Sequence, residues 1–186
     1  MFELDGRGGT GRDRMYLKDE MVLYSTYGVC RIAEIAEKDM GGSLRRYYVL
    51  KPLRSGDATI FVPSDNESLT SKIRRVMSED EARSLIDAMP DEGTIWMEDE
   101  QARRDRYREI LSSGSRKELV RLIKTLYLHK QSQKGRGKKM KSPDEDILKS
   151  AEKMLHDEFA YVFNIKREEV LPLIVGRLEP LEDVRK

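Results

Sequence analysis

Between residue 15 and about residue 70, apolar residues come in short runs punctuated by glycine and proline, the signature of β-strands. Met21 to Tyr24 (MVLY) reads as a short strand, Val29 to Lys38 as a longer one, and Arg46 to Lys51 (RYYVLK) as a third. Met40-Gly41-Gly42-Ser43 supplies the positive-φ tolerance of a tight hairpin. Ser55-Gly56-Asp57 supplies a second turn, leaving Ala58 to Val62 as a strand ending at Pro63. Four or five short antiparallel strands are too few for a two-layer sandwich, so the pattern predicts a small curled barrel of SH3 or Tudor type.

After Pro63 the apolar period changes from two to 3.6, and helix-start signals appear. Ser78-x-x-Glu81, Ser115-x-x-Glu118 and Ser142-Pro143-Asp144-Glu145 each have the spacing of a capping box, the last with proline at the first helical position. Leu119, Leu122, Ile123, Leu126 and Tyr127 form one stripe; Ile147, Ala151, Met154, Leu155, Phe159 and Val162 form another. A further helix is expected from about Ile95 to Ser112, with Glu98, Asp99 and Glu100 in its first turn and Gly114 just past its end. A short last helix, Lys166 to Val175, closes the bundle. The fold class is therefore α+β, an antiparallel β-barrel followed by an α-helical bundle. Its parts are a glycine- and arginine-rich flexible leader (residues 1–14), a barrel module (15–72), a helical module (77–175) and a flexible tail (176–186).

Charge sharpens this picture. Lys and Arg number 35 against 34 Asp and Glu, yet the balance conceals segregation. From Met77 to Asp99 eight acids face Arg83 alone, whereas from Glu100 to Ser142 fourteen bases face four acids. A basic middle is the footprint of a polyanion partner or of a solvated helix face. The run Lys130 to Lys141 (KQSQKGRGKKMK) holds six bases and no acid and reads as a mobile basic loop. Six phosphate contacts would give a log–log salt slope of about −5 by counterion release, without reading sequence.

Catalytic patterns are absent: there is no glycine-rich phosphate loop after a strand, and no nucleophile with a histidine partner. Gly135-Arg136-Gly137-Lys138 lacks P-loop spacing. One cysteine, Cys30, and two histidines, His129 and His156, make neither an internal disulfide nor a zinc set. No enzyme activity, cofactor or metal is expected. The longest apolar runs fall far short of a membrane span, and residues 1–14 lack an export signal, so the expected compartment is the cytoplasm. Tyr24, Tyr27, Tyr47 and Tyr48 do not make a convincing cation cage, because Tyr47 and Tyr48 are neighbours on one strand and point to opposite faces.

Trp96 is the only tryptophan. On a continuous helix, positions 96, 100, 103, 107 and 110 share a face, which brings Trp96 beside Arg103 and Tyr107. Two roles fit it: a hydrophobic anchor for the bundle, or a wedge on a base step flanked by phosphate contacts.

The order of these parts resembles the CarD and CdnL family of bacterial transcription factors. The resemblance is carried by Leu23-Tyr24-x-x-x-Gly28-Val29-x-x-Ile32, by Gly41-Gly42 followed by Tyr47-Tyr48-Val49-Leu50, and by Val62-Pro63. It continues through Trp96, Arg106-Tyr107-Arg108, Leu111-x-Ser113-Gly114-Ser115, Leu122-x-x-x-Leu126-Tyr127 and Ala151-x-x-Met154-Leu155-x-x-Glu158. It implies a regulator whose Tudor-like module docks on the RNA polymerase β subunit and whose helical module touches promoter DNA at the upstream edge of the transcription bubble, stabilising the open complex.

On that resemblance Trp96 matches the wedge, Arg106 and Arg108 match basic positions near the junction, and Lys38 matches the polymerase-binding face. Arg103, Arg104, Lys138 and Lys139 join the expected DNA contacts, and Arg46 and Phe61 join Lys38 on the polymerase side. Phe61 stands where relatives can carry arginine, and Glu98, Asp99 and Glu100 stand where more basic residues are common. The expected state is a monomer that contacts DNA largely without sequence preference. Two other readings are an RNA-binding protein and a polymerase-bound adaptor that touches no DNA; the adaptor expects Trp96 to be buried.

Overall fold

The computed structural model describes residues 16–39, 41–54 and 56–184, with side chains described through Arg177. The expected leader lies outside the described residues.

Five strands form one antiparallel sheet: β1 (Met21–Tyr24), β2 (Val29–Asp39), β3 (Leu44–Pro52), β4 (Ile60–Pro63) and β5 (Ile73–Arg75), in the order β4-β3-β2-β1-β5. Side chains alternate across a strand, so each strand offers one face to a core. Tyr24 and Val22 of β1, Cys30 and Ile32 of β2, Tyr48 and Leu50 of β3, Val62 of β4 and Ile73 of β5 are buried in a single cluster. The two edge strands thus contribute to the same core, and the sheet curls around it. Among the described residues no ladder joins β4 to β5, so the expected barrel is a curled, open sheet. The reason is local: β5 has only three residues, and the short helix α1 (Glu67–Thr70) stands between it and β4. The irregularity in the β2–β3 register between Ile32 and Glu34 adds curvature.

The helices are α2 (Glu79–Ala88), α3 (Glu100–Ser113), α4 (Arg116–Gly135), α5 (Ser142–Val162) and α6 (Arg167–Val184). They build two cores along α5, one on its first half and one on its second. One joins Ala82 and Ile86 of α2 to Phe159 of α5 and Val170 and Ile174 of α6; the other joins Tyr107 and Ile110 of α3 to Leu122 and Leu126 of α4 and Ala151 of α5.

Several expectations change. Of the three capping boxes only Ser78–Glu81 makes both reciprocal bonds. Ser115 caps α4 without a side-chain bond, and the Glu118 carboxylate accepts from Arg106 and Arg121 at 2.7 and 2.9 Å rather than from the Ser115 amide. Ser142 is already inside α5, with Lys141 at the cap position. The helix expected from Ile95 begins at Glu100, where Asp99 accepts from the Ala102 amide at 2.6 Å; Gly114 ends it in the left-handed conformation as expected. The basic loop is shorter than the charge run, because α4 continues to Gly135 and Met140 is buried in the α3–α4–α5 core. The tail expected as coil from Gly176 is helical to Val184. Val170 and Ile174 of this helix are buried against α2 and α5, and that anchoring outweighs the breaking tendency of Gly176 and Pro180.

A polar seam joins sheet and helices. Arg74 of β5 donates to the Gly114 carbonyl at the end of α3, and Lys153 of α5 reaches the Thr26 carbonyl at 3.3 Å. Asp157 of α5, only 3% exposed, lies 3.8 Å from Arg54, 3.5 Å from Lys153 and 3.6 Å from Arg167. A buried carboxylate is tolerated only beside compensating charge, and three cations from three parts of the chain provide it. Among the described residues no helix is long and apolar enough to cross a membrane, and no three potential metal ligands converge.

Candidate functional site

The first site is the open end of the sheet. Among the described residues β4 pairs only with β3, so its outer edge offers backbone donors and acceptors to an added strand. Phe61, at the middle of that edge, is 37% exposed. The Lys38 ammonium lies 5.6 Å from the centre of its ring, and Tyr47 meets the same ring edge-on at 6.4 Å. The sequence joined Lys38 and Phe61 without knowing that they touch.

Arg46 does not join them. The register sets Lys38 opposite Arg45 and Glu37 opposite Arg46, so alternation puts Arg46 on the other face of the sheet. Arg45, passed over in the sequence, is the arginine that shares the face of Lys38. The tyrosines behave as strand alternation requires: Tyr48 packs edge-on against Tyr16 inside the core while Tyr47 faces Phe61.

The second site is built around Trp96. Because α3 starts only at Glu100, Trp96 lies on an irregular strap between the turn Met89–Asp91 and that helix. The strap is tied to the bundle along its length. Lys124 of α4 donates to the carbonyls of Pro90 and Glu92 at 2.8 and 2.6 Å, and Thr125 accepts from the Ile95 amide at 2.9 Å. Arg103 of α3 reaches back to the Met97 carbonyl at 2.6 Å. Trp96 itself is half-buried. Its indole lies 4.4 Å from the Arg103 guanidinium carbon and stacks on the His129 imidazole at 4.2 Å, with ring planes 20° apart.

Trp96 and Arg103 are therefore neighbours, as the sequence spacing suggested, but through a folded-back strap rather than a shared helix face. Arg103 is 6% exposed and committed to the strap, so it holds the indole rather than offering charge to a phosphate. The remaining arginines of α3 are also engaged: Arg104 with Glu100 at 2.5 Å, Arg106 with Glu109 and Glu118 at 2.7 Å each, Arg108 with Asp105 at 3.0 Å. These pairs are exposed or half-exposed, cost little to open, and leave the cations recruitable by a polyanion. Lys138 and Lys139 are exposed and have no ion pair among the described residues.

The acids that follow Trp96 are accounted for individually. Asp99 is the N-cap of α3, and Glu100 holds both Arg104 and Lys141, the latter at 2.8 Å. The Lys141 hydrogen bond, aided by the charges of Lys141 and Arg104, keeps the Glu100 carboxyl below its ordinary range. Lys141 thereby brings the loop after α4 against the start of α3, beside the strap. The sequence singled out neither His129 nor Thr125 nor Lys124. Their role depends on contacts between residues some thirty positions apart, which no local period reports.

The geometry thus comprises a curled antiparallel sheet with an aromatic and basic edge, followed by helices that tie down a tryptophan. Residues 16–77, which include all five strands, match the family model described as the CarD-like/TRCF RID domain. The family is an interaction domain of transcription factors, and its RID domains interact with the RNA polymerase β subunit. The matched residues run from Tyr16 in the sheet core to Met77, whose amide is held by Glu158 of α5. No curated protein sequence matches the chain.

Proposed function

We propose that the protein is a transcription regulator that binds RNA polymerase through the β subunit and stabilises the promoter open complex by contacting DNA at the upstream edge of the bubble. The family match of residues 16–77 supports the polymerase half of this reading. The observation that carries the DNA half is the placement of Trp96: a half-buried indole on a strap tied at Pro90, Glu92, Ile95 and Met97, with Lys141, Arg104, Lys138 and Lys139 on the neighbouring elements.

The mechanism is energetic. The sheet edge, with Phe61, Lys38 and Arg45, tethers the protein to the polymerase and raises the effective concentration of the helical module at the promoter. Basic side chains attract phosphate without reading bases. The indole packs on a base step exposed only when the duplex is melted, so binding favours the open state. A differential affinity of about 1.4 kcal/mol shifts the closed–open balance tenfold. Partial exposure of Trp96 favours this reading over the adaptor, which expects a buried indole.

The test is the lifetime of competitor-challenged open complexes formed by a cognate bacterial RNA polymerase, with and without the protein and with Trp96→Ala in parallel. A lengthened lifetime that the substitution removes, with polymerase binding retained, is the expected result. Unchanged lifetimes together with retained polymerase binding would leave the adaptor. Tight RNA binding without polymerase would replace both.

A further inference from the structure

We propose that His129 is a positioning residue for Trp96: the imidazole, delivered by α4, fixes the indole in the orientation in which it meets DNA. The inference rests on the wedge reading of Trp96 and assigns a role to a residue on the opposite element.

The strap carrying Trp96 has no helix or ladder of its own to orient it, so its direction depends on side chains from elsewhere. Thr125, His129 and Gln133 stand at successive four-residue intervals on α4 and therefore form one row along it. Each makes a contact that the others reinforce. Thr125 accepts the Ile95 amide at 2.9 Å and donates to the Arg121 carbonyl at 2.6 Å, fixing the backbone one residue before the indole. His129 stacks on the indole at 4.2 Å. Gln133 lies 3.4 Å from the His129 Nε2 and steadies the ring from the next turn. Arg103 supplies the second contact to the indole from α3.

A large side chain that must be ordered on binding loses rotamer freedom at that moment. One already ordered in the free protein does not, and the saving appears as affinity. A residue that only filled space beneath Trp96 would not need a flat ring nearly parallel to the indole; a residue that orients it does. Stacked aromatic pairs are worth enough to change an equilibrium by about three- to tenfold.

The experiment uses the full chain in four forms: unaltered, Trp96→Ala, His129→Ala and His129→Phe. Because Trp96 is the only tryptophan, its fluorescence and acrylamide quenching report the stack directly in the free protein. His129→Ala is expected to make the indole more quenchable and to shorten the protein-dependent open-complex lifetime by about three- to tenfold. Polymerase binding stays near that of the unaltered protein, and the unfolding midpoint falls by no more than the few degrees that loss of one stacked pair costs. His129→Phe, which keeps a flat ring, restores both the low quenching and the lifetime.

Shortening by Trp96→Ala with no change, or a lengthening, in His129→Ala overturns the positioning role while leaving the wedge intact. Failure of His129→Phe to rescue the lifetime, while it restores low quenching, also overturns the role. An unchanged lifetime in Trp96→Ala overturns the wedge and this inference with it.

Discussion

Arg116 at the start of α4 grips Glu158 on α5 with two nitrogens, Nη2 at 2.6 Å and Nε at 3.0 Å, while Glu158 accepts the Met77 amide at 2.9 Å. The same Arg116 donates to the Arg75 carbonyl at 2.7 Å, so one ion pair ties the last strand, α4 and α5 together. Glu158 is 2% exposed. Removing Glu158 leaves the Arg116 guanidinium uncompensated, and because Arg116 is 24% exposed the cost falls at the low end of the buried-pair range, about 3 kcal/mol. Glu158→Ala should lose that much stability in urea unfolding, and Glu158→Gln, which keeps an acceptor, less. A loss below about 1 kcal/mol for the alanine variant would mean that the seam is not a structural tie.

Gly114 ends α3 with φ +59°, and a β-carbon there would run into the Arg74 guanidinium and come within 3.3 Å of the Met154 methyl. Gly114→Ala is expected to cost at least about 1 kcal/mol from the backbone alone, and more because Arg74 must leave the Gly114 carbonyl. Thermal unfolding of the variant beside an alanine substitution at exposed Gly137 separates the two contributions. Gly137 also has positive φ but nothing within 4 Å of a β-carbon, so the difference between the variants isolates the collision.

The Tyr107 hydroxyl is buried with no hydrogen-bond partner among the described residues, and burial pushes its ionisation up to about 12. An unsatisfied buried hydroxyl is a net cost, so Tyr107→Phe should leave stability unchanged or raise it by up to about 1 kcal/mol. Denaturant unfolding reads this directly. A clear destabilisation would point to a partner for the hydroxyl.

Acid sensitivity has a defined origin in the first turn of α2. The Arg75 side-chain hydrogen bond, helped by the Ser78 amide, holds the Glu81 carboxyl down at about 2 against an ordinary 4.5. A depressed folded-state pKa stabilises above the unfolded value and stops doing so as pH falls through the folded one. The Glu81 contribution is therefore complete above about pH 4.5 and disappears toward pH 2. Both partners are nearly half exposed, so solvent screening limits it to less than about 1 kcal/mol. Glu81→Gln should match the unaltered protein near pH 2 and fall below it near neutrality; a gap independent of pH would contradict the assignment.

At the sheet edge, Phe61→Ala should weaken binding to the isolated polymerase β subunit by about tenfold, the scale of one buried aromatic contact. Arg46→Ala should change it far less, because Arg46 lies on the opposite face. Comparable losses in both variants would place the docking surface across the edge rather than on the Lys38–Phe61 face.

Residues with a local signal were readable in advance. The strands announced themselves through Gly41-Gly42 and Pro63, the start of α2 through Ser78 and Glu81, and the end of α3 through Gly114. Each of those signals acts within four or five residues. The start of α3 was misplaced because Glu98, Asp99 and Glu100 all suit a first helical turn, and only Asp99 is held at the cap by the Ala102 amide. Likewise Ser115 and Glu118 spell a capping box, yet the carboxylate accepts from Arg106, twelve residues before Glu118, rather than from the Ser115 amide.

By itself the sequence determined the α+β order, the apolar faces that must be buried, the segregation of charge, and that Trp96, Lys38 and Phe61 deserved notice. These follow from period, caps and turns, whose energetics are set by near neighbours. Only the tertiary structure decided that Arg103 is buried beneath a strap, that His129 meets Trp96, that Arg46 faces away from Phe61, and that α6 continues past Gly176. A stack, a register and a buried ion pair depend on where distant segments come together, and packing fixes that only when the whole chain has closed around its cores.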